Sequence, residues 1–138
     1  MVSKQGQKAA NKGREFEELI QSQLTQAGVN FEKQVRLVGG SLFGEVKVID
    51  LLITNHPEYP DGLYAEIKWQ GSGGTTDEKI PYAVACIKEL YDKPCVLIFD
   101  GKGFRKGVLP WLMTQVGGNL VKVIHGDLSQ WLMDTDFN

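Results

Sequence analysis

Two carboxylates and a lysine lie on consecutive apolar segments of this 138-residue chain. Asp50 ends one short apolar stretch, and Glu66 and Lys68 lie in the middle of the next one. If these segments are neighbouring strands of one sheet, the three side chains can meet at a single point. Carboxylate oxygens suit a divalent metal, and a lysine beside them can offset negative charge on a phosphate. The three residues therefore predict hydrolysis of phosphodiester bonds.

This chemistry assigns a role to each residue of the set. Asp50, Glu66 and the backbone carbonyl of Ile67 would hold Mg²⁺, which usually keeps several waters and takes one or two carboxylates. We expect Mn²⁺ to substitute for it. The ion would polarise the scissile phosphate, while Lys68 would orient the attacking water and offset charge in the transition state. Gln70 would position that water or the lysine.

The chain contains several triplets of an acidic residue, any residue and lysine. They are Glu45-Val46-Lys47, Glu66-Ile67-Lys68, Asp77-Glu78-Lys79 and Asp100-Gly101-Lys102. Only the second lies within a predicted strand, where the period of two puts Glu66, Lys68 and Gln70 on one face. The others lie at the start of a strand, at the start of a helix and in a glycine loop. An edge strand with one solvated face would have the same pattern as the second triplet, and this alternative stays open.

Hydrophobic periodicity predicts the elements that would position these residues. The predicted helices are 14–27, 76–91, 108–116 and 127–133, and the predicted strands are 31–38, 46–53, 63–69, 95–99 and 120–124. Three consecutive strands favour an antiparallel meander, and the strand–helix–strand steps that follow favour parallel additions. The expected fold is therefore α/β, with a mixed sheet of about five strands flanked by helices.

A third carboxylate, Glu17, lies on the first predicted helix and could lean over the sheet toward the same cluster. There it would hold a second metal ion or a water ligand. Glu17 and Glu18 could equally belong to a solvated face of the helix, and this alternative also stays open.

With these residues in place, the chain resembles the PD-(D/E)XK nuclease superfamily. The residues that carry the resemblance are Gly13, Glu17, Asp50, Glu66, Lys68 and Gln70. The predicted order of elements agrees with the core of that superfamily, although Ile49 stands where its name has a proline. The resemblance covers most of the chain. It implies a restriction-endonuclease-like fold, one nuclease domain over residues 1–138, and an enzyme that cuts DNA with Mg²⁺.

Two segments contain basic residues and no acidic ones. Residues 1–14 contain Lys4, Lys8, Lys12 and Arg14, and the loop 101–107 contains Lys102, Arg105 and Lys106. Such segments can contact phosphates, but solubilising surface charge is the alternative, since a net charge of −2 gives no overall attraction to nucleic acid. Residues 1–12 are a candidate for a flexible basic arm. The resemblance adds Thr75 and Lys79, which follow the lysine strand, as candidate phosphate contacts.

Composition limits the remaining possibilities. No apolar stretch approaches the roughly 18 residues that span a bilayer, and the N-terminal segment lacks the apolar core of a signal peptide. We therefore expect a cytoplasmic protein. Cys86 and Cys95 lack metal-like spacing and are expected to be reduced and buried.

The sequence therefore predicts a Mg²⁺-dependent endonuclease that acts on double-stranded DNA. Within the superfamily we favour a site-specific enzyme of homing or restriction type. A homodimer or higher oligomer is expected, because one small domain carries one active site and a duplex has two strands. The alternatives are a Holliday-junction resolvase, a repair nuclease, or a catalytically silent DNA-binding module of the same fold.

Overall fold

The fold, taken from a computed structural model, consists of strands and helices in the predicted order. The structure describes the backbone of residues 4–71 and 76–137 and the side chains of residues 11–71 and 79–137. The helices are α1 (Lys4–Gln26), α2 (Thr76–Leu90), α3 (Val108–Gln115) and α4 (Ser129–Met133). The strands are β1 (Phe31–Leu37), β2 (Lys47–Ile53), β3 (Leu63–Trp69), β4 (Cys95–Asp100) and β5 (Leu120–His125). None of the described helices is long and apolar enough to span a membrane.

The strands form one five-stranded mixed sheet in the order β1-β2-β3-β4-β5. β1 pairs with β2, and β2 with β3, in antiparallel fashion, whereas β3–β4 and β4–β5 are parallel pairs. The predicted α/β fold, a meander with parallel additions, is therefore confirmed. Because β3, β4 and β5 run in the same direction, their carboxyl ends share one edge of the sheet.

Apolar side chains cover both faces of this sheet. One cluster, the α1-side core, joins α1 to the sheet through Phe16, Ile20, Leu24, Ala65 and Ile67, among others. The other cluster, the α2-side core, joins α2 and α3 to the opposite face through Ile80, Ile87, Tyr91, Leu97 and Leu112, among others. As the period of two predicts, Ala65 and Ile67 of β3 face α1, which leaves Glu66 on the face of α2.

Helix α1 begins at Lys4, so the predicted start at residue 14 was wrong. The prediction depended on the apolar stripe of the helix, and this stripe starts only at Phe16. The preceding segment contains lysine, glutamine and alanine, which are good helix formers and extend the helix without an apolar stripe. Backbone residues 4–12, which the sequence suggested as a basic arm, are therefore helical.

Strands β1 and β2 both change face at one pair of opposed residues, Gln34 of β1 and Asp50 of β2. The neighbours of this pair divide between the two cores, with Phe31 and Leu51 on the α1 side and Val35 and Ile49 on the α2 side. A regular strand keeps every second residue on one face, so both strands must be distorted between these neighbours. The opposed pair is Gln34 and Asp50, which the strand register skips, and Gln34 has a left-handed φ of +56°. The distortion therefore lies at Asp50.

Candidate active site

Strands β2 and β3 separate where Asp50 and Glu66 face each other. Their pairing stops at Leu51 and Ala65. One step further, Asp50 Oδ2 accepts a hydrogen bond from the backbone N–H of Ile67 at 2.7 Å. The N–H of Ile67 thus donates to a carboxylate, whereas in a regular antiparallel ladder it would donate to a main-chain carbonyl. This bond orients Asp50 in the opening between the two strands.

Glu66 is a buried carboxylate with a donor on each oxygen. Its side chain is 1% exposed, and its Oε2 lies 3.3 Å from Nζ of Lys68. Its Oε1 accepts a hydrogen bond from the hydroxyl of Tyr91 at 3.2 Å. Burial, and next the charge of Asp50, raise the pKa of Glu66, while the ammonium groups of Lys68 and Lys47 offset part of this effect. Because the charge of Asp50 disfavours ionisation of Glu66, a cation placed between the two carboxylates would stabilise the ionised form of Glu66.

A cleft of about 490 Å³ opens beside β3. This active-site cleft is lined by Gly13, Arg14, Glu17, Ile67, Lys68, Trp69 and Lys79. Burial, and next the charge of Asp50, raise the pKa of Glu17, whereas Lys68 lowers it. Glu17 therefore approaches the Asp50–Lys68 region from α1, on the side of the sheet opposite α2.

The donor set fits a hard divalent cation such as Mg²⁺. Asp50 and Glu66 supply two carboxylates, and Ile67, whose N–H is held by Asp50, lies between Glu66 and Lys68 in β3. Within residues 11–71 and 79–137, no three acidic, histidine or cysteine side chains converge on one point. Two carboxylates with a carbonyl and waters are nevertheless a usual shell for Mg²⁺.

Gln70 lies one residue beyond the end of β3. Its backbone anchors the next loop, since Gln70 N–H donates to the carbonyl of Asp100 at 3.1 Å and its carbonyl accepts from Gly103 N–H at 2.9 Å. Gly101 has a φ of +119°, and a Cβ there would collide with the backbone of Gln70. A catalytic role for Gln70 remains a prediction.

The candidate phosphate contacts lie along two parts of the same edge. Lys79 lines the active-site cleft. Lys102, Arg105 and Lys106 are exposed on the β4–α3 loop, which follows the carboxyl end of β4 beside that of β3. Thr75 lies outside the described residues.

The structure adds three residues that the sequence did not place beside the carboxylates, although Arg14 belongs to a basic segment that could contact phosphates. Arg14 lines the cleft and precedes Glu17 by one helical turn, which was an available signal. Lys47 acts on Glu66 because the distortion at Asp50 puts it on the face of α2, which a regular strand pattern does not predict. Tyr91 had no sequence signal, because it reads as the last apolar residue of the predicted helix 76–91.

A mixed sheet that carries two carboxylates and a lysine at an opening between strands is the arrangement expected of a nuclease. A profile of the PD-(D/E)XK nuclease superfamily domain matches residues 8–128. The chain belongs to this superfamily, which confirms the resemblance seen in the sequence. No curated protein matches the chain. A similar solved structure is the crystal structure of a protein of unknown function, AF1548, with 11% identity and a TM-score of 0.49; the match covers 82% of this chain and 56% of that one.

Proposed function

We propose that the protein is a Mg²⁺-dependent endonuclease that hydrolyses phosphodiester bonds of DNA. The observation that carries this proposal is the position of Asp50 and Glu66 where β2 and β3 separate, with Lys68 3.3 Å from Glu66. A buried Glu66 beside a half-buried Asp50 of like charge costs stability in a chain that has no use for the arrangement. Membership of a nuclease superfamily supports the class of reaction.

Asp50, Glu66 and the carbonyl of Ile67 would hold the ion, which supplies positive charge at the scissile phosphate and makes water more acidic. Lys68 is 26% exposed, so its ammonium group lies between the buried Glu66 and the cleft. From there it can orient the attacking water and stabilise the charge that develops on the phosphate. Glu17 and Gln70 would order water around this centre.

Positively charged residues beside the centre would hold the DNA backbone. Arg14 and Lys79 line the active-site cleft, and the exposed loop with Lys102, Arg105 and Lys106 extends the same edge. Phosphate contacts of this kind position a duplex without reading its sequence. Thr75, which lies outside the described residues, is a further proposed contact.

We further propose a site-specific double-strand cutter of homing or restriction type that acts as a homodimer. One domain of this size has room for one such site, and two sites are needed to cut both strands in one event. Sedimentation of the protein with and without DNA tests this part of the proposal, and a monomer in both states would contradict it.

Cleavage of a panel of substrates tests the proposal as a whole. Supercoiled plasmid, linear duplex, single strand and a four-way junction are each incubated with Mg²⁺, with Mn²⁺ and with EDTA. Lys68→Ala is the test variant, and Lys122→Ala, which removes an exposed lysine from β5, is the matched control. We expect discrete duplex products from the wild type and from the control, and none from Lys68→Ala or in EDTA.

The other outcomes favour the alternatives. Cutting of the junction alone would replace the proposed role by that of a resolvase, and cutting of the single strand alone would favour a repair nuclease. DNA binding without cleavage of any substrate in either metal would contradict the enzyme and favour a silent binding module.

A further inference from the structure

Tyr91 is held in a fixed position at the end of α2 by contacts that do not involve its hydroxyl group. Its side chain is buried, and its ring meets that of Tyr64 edge-on, with the centroids 5.6 Å apart. Its N–H donates to the carbonyl of Cys86 at 3.1 Å. Its own carbonyl accepts a hydrogen bond from the amide group of Asn119 at 2.7 Å. The hydroxyl is therefore presented to the sheet from a rigid base.

That hydroxyl fixes one end of the Glu66 carboxylate. It donates to Oε1, while Lys68 Nζ lies beside Oε2. An ionised carboxylate has about four acceptor positions, so one donor on each oxygen leaves capacity for a metal ion. The last torsion of a glutamate is soft, and Lys68 alone would let the carboxylate rotate about it. The hydroxyl of Tyr91 opposes this rotation.

We propose that Tyr91 is a positioning residue, which holds Glu66 in the orientation that binds the metal ion. This inference rests on the proposed function and deepens it. Groups that hydrogen-bond to a metal-ligating side chain set its orientation, and their loss commonly costs 10–100-fold in metal affinity or activity. Tyr91 acts through Glu66 and is not itself expected to contact the substrate.

Tyr91→Phe tests this role, and Tyr64→Phe is a matched control. Tyr64 lies in the same core and donates its hydroxyl to Asp92 at 2.6 Å, so the control also removes one hydrogen bond to an acidic residue. Mn²⁺ binding is measured on the intact protein without DNA by electron paramagnetic resonance. The cleavage rate is then measured against Mg²⁺ concentration and against DNA concentration.

We expect Tyr91→Phe to need about tenfold more metal for half-saturation, with kcat largely restored at saturating Mg²⁺ and an unchanged KM for DNA. A merely structural role would not separate the metal dependence from KM. The control should match the wild type in all three quantities.

Equal Mn²⁺ affinities in the two variants would overturn the inference and leave the proposed function in place. A wild type that binds no Mn²⁺ and cuts no DNA would overturn both. If Tyr91→Phe is partly unfolded at the assay temperature, the rise in Tm caused by Mg²⁺ is compared among the three proteins. A rise as large as that of the wild type would then count against the inference.

Discussion

Two substitutions of Asp50 separate its structural role from its role as a metal ligand. Asp50→Asn keeps an oxygen of the same shape that can accept the hydrogen bond of Ile67 N–H, whereas Asp50→Ala removes the acceptor. Both variants remove the charge that raises the pKa of Glu66 and Glu17. The difference in stability between the two variants therefore measures the hydrogen bond with little contribution from charge.

The expected size of this difference follows from the Ile67 donor. A partly buried N–H that loses its acceptor costs about 1–3 kcal/mol. In a domain of this size, 1 kcal/mol corresponds to roughly 4 °C in Tm. In EDTA at pH 7, Asp50→Asn should be as stable as the wild type or more stable, because it relieves the repulsion with Glu66. Asp50→Ala should unfold at a lower urea concentration than Asp50→Asn.

Urea unfolding in EDTA, Mn²⁺ binding and DNA cleavage are the assays for this prediction. Both variants should lose metal binding and cleavage, and Asp50→Ala should in addition be less stable than Asp50→Asn. Equal unfolding free energies in the two variants would refute the role of the Ile67 bond. Cleavage by Asp50→Asn at the wild-type rate would show that Asp50 is no metal ligand, and an unfolded Asp50→Asn would show that the charge itself is structural.

Three further predictions concern the surroundings of the site. Gly101→Ala should cost about 1–3 kcal/mol in unfolding free energy and weaken DNA binding, because its φ of +119° and the nearby backbone exclude a side chain. Gly107→Ala, at a position with open space, should change both quantities less. In urea unfolding, Gln34→Gly should leave the free energy of unfolding unchanged or raise it, because relief of a backbone strain of about 1–2 kcal/mol offsets the conformational entropy of glycine. Arg36→Gly in the same strand should lower the free energy of unfolding by about 0.5–1 kcal/mol. Equal losses in the two variants would contradict the strain at Gln34. In EDTA, the free energy of unfolding should fall as pH rises from about 4.3, the ordinary pKa of glutamate, through the raised pKa of Glu66. The reason is that the folded state holds the Glu66 proton more tightly than the unfolded chain and loses this advantage when the proton is released. Urea titrations across this pH range should show a smaller fall for Glu66→Gln.

The sheet could be predicted from the sequence because β2, β3, β4 and β5 are short runs rich in apolar residues, separated by turn-forming or helical segments. β3 has the predicted bounds, and its alternation predicted that Ala65 and Ile67 face the core, where they pack on the α1 side. The expectation that Asp50 lies near Glu66 followed from the hairpin that joins their strands. Their catalytic roles remain predictions, since position alone does not show chemistry.

The contacts that complete the site depend on features that periodicity does not contain. Tyr91 reaches Glu66 across 25 residues, through the packing of the end of α2 on β3. Lys47 lies three residues from Asp50, and a regular strand would put these two side chains on opposite faces. A left-handed residue such as Gln34 has no clear signal in a sequence, because glutamine has no special preference for that conformation.

The distortion at Gln34 and Asp50 brings the carboxylate of Asp50 to the N–H of Ile67, in the opening between β2 and β3. In a regular ladder the N–H of Ile67 would meet a main-chain carbonyl of β2, and no opening would exist for a carboxylate. Here two unfavourable features, a strained backbone and a pair of like charges, lie at the same rung. Such features persist where the surrounding structure determines them, and here Leu51 on one face and Ile49 on the other are both fully buried. The two cores therefore hold β2 in the conformation that brings Asp50 to the opening, and the free energy of folding offsets the cost of two like charges that the proposed cation would neutralise.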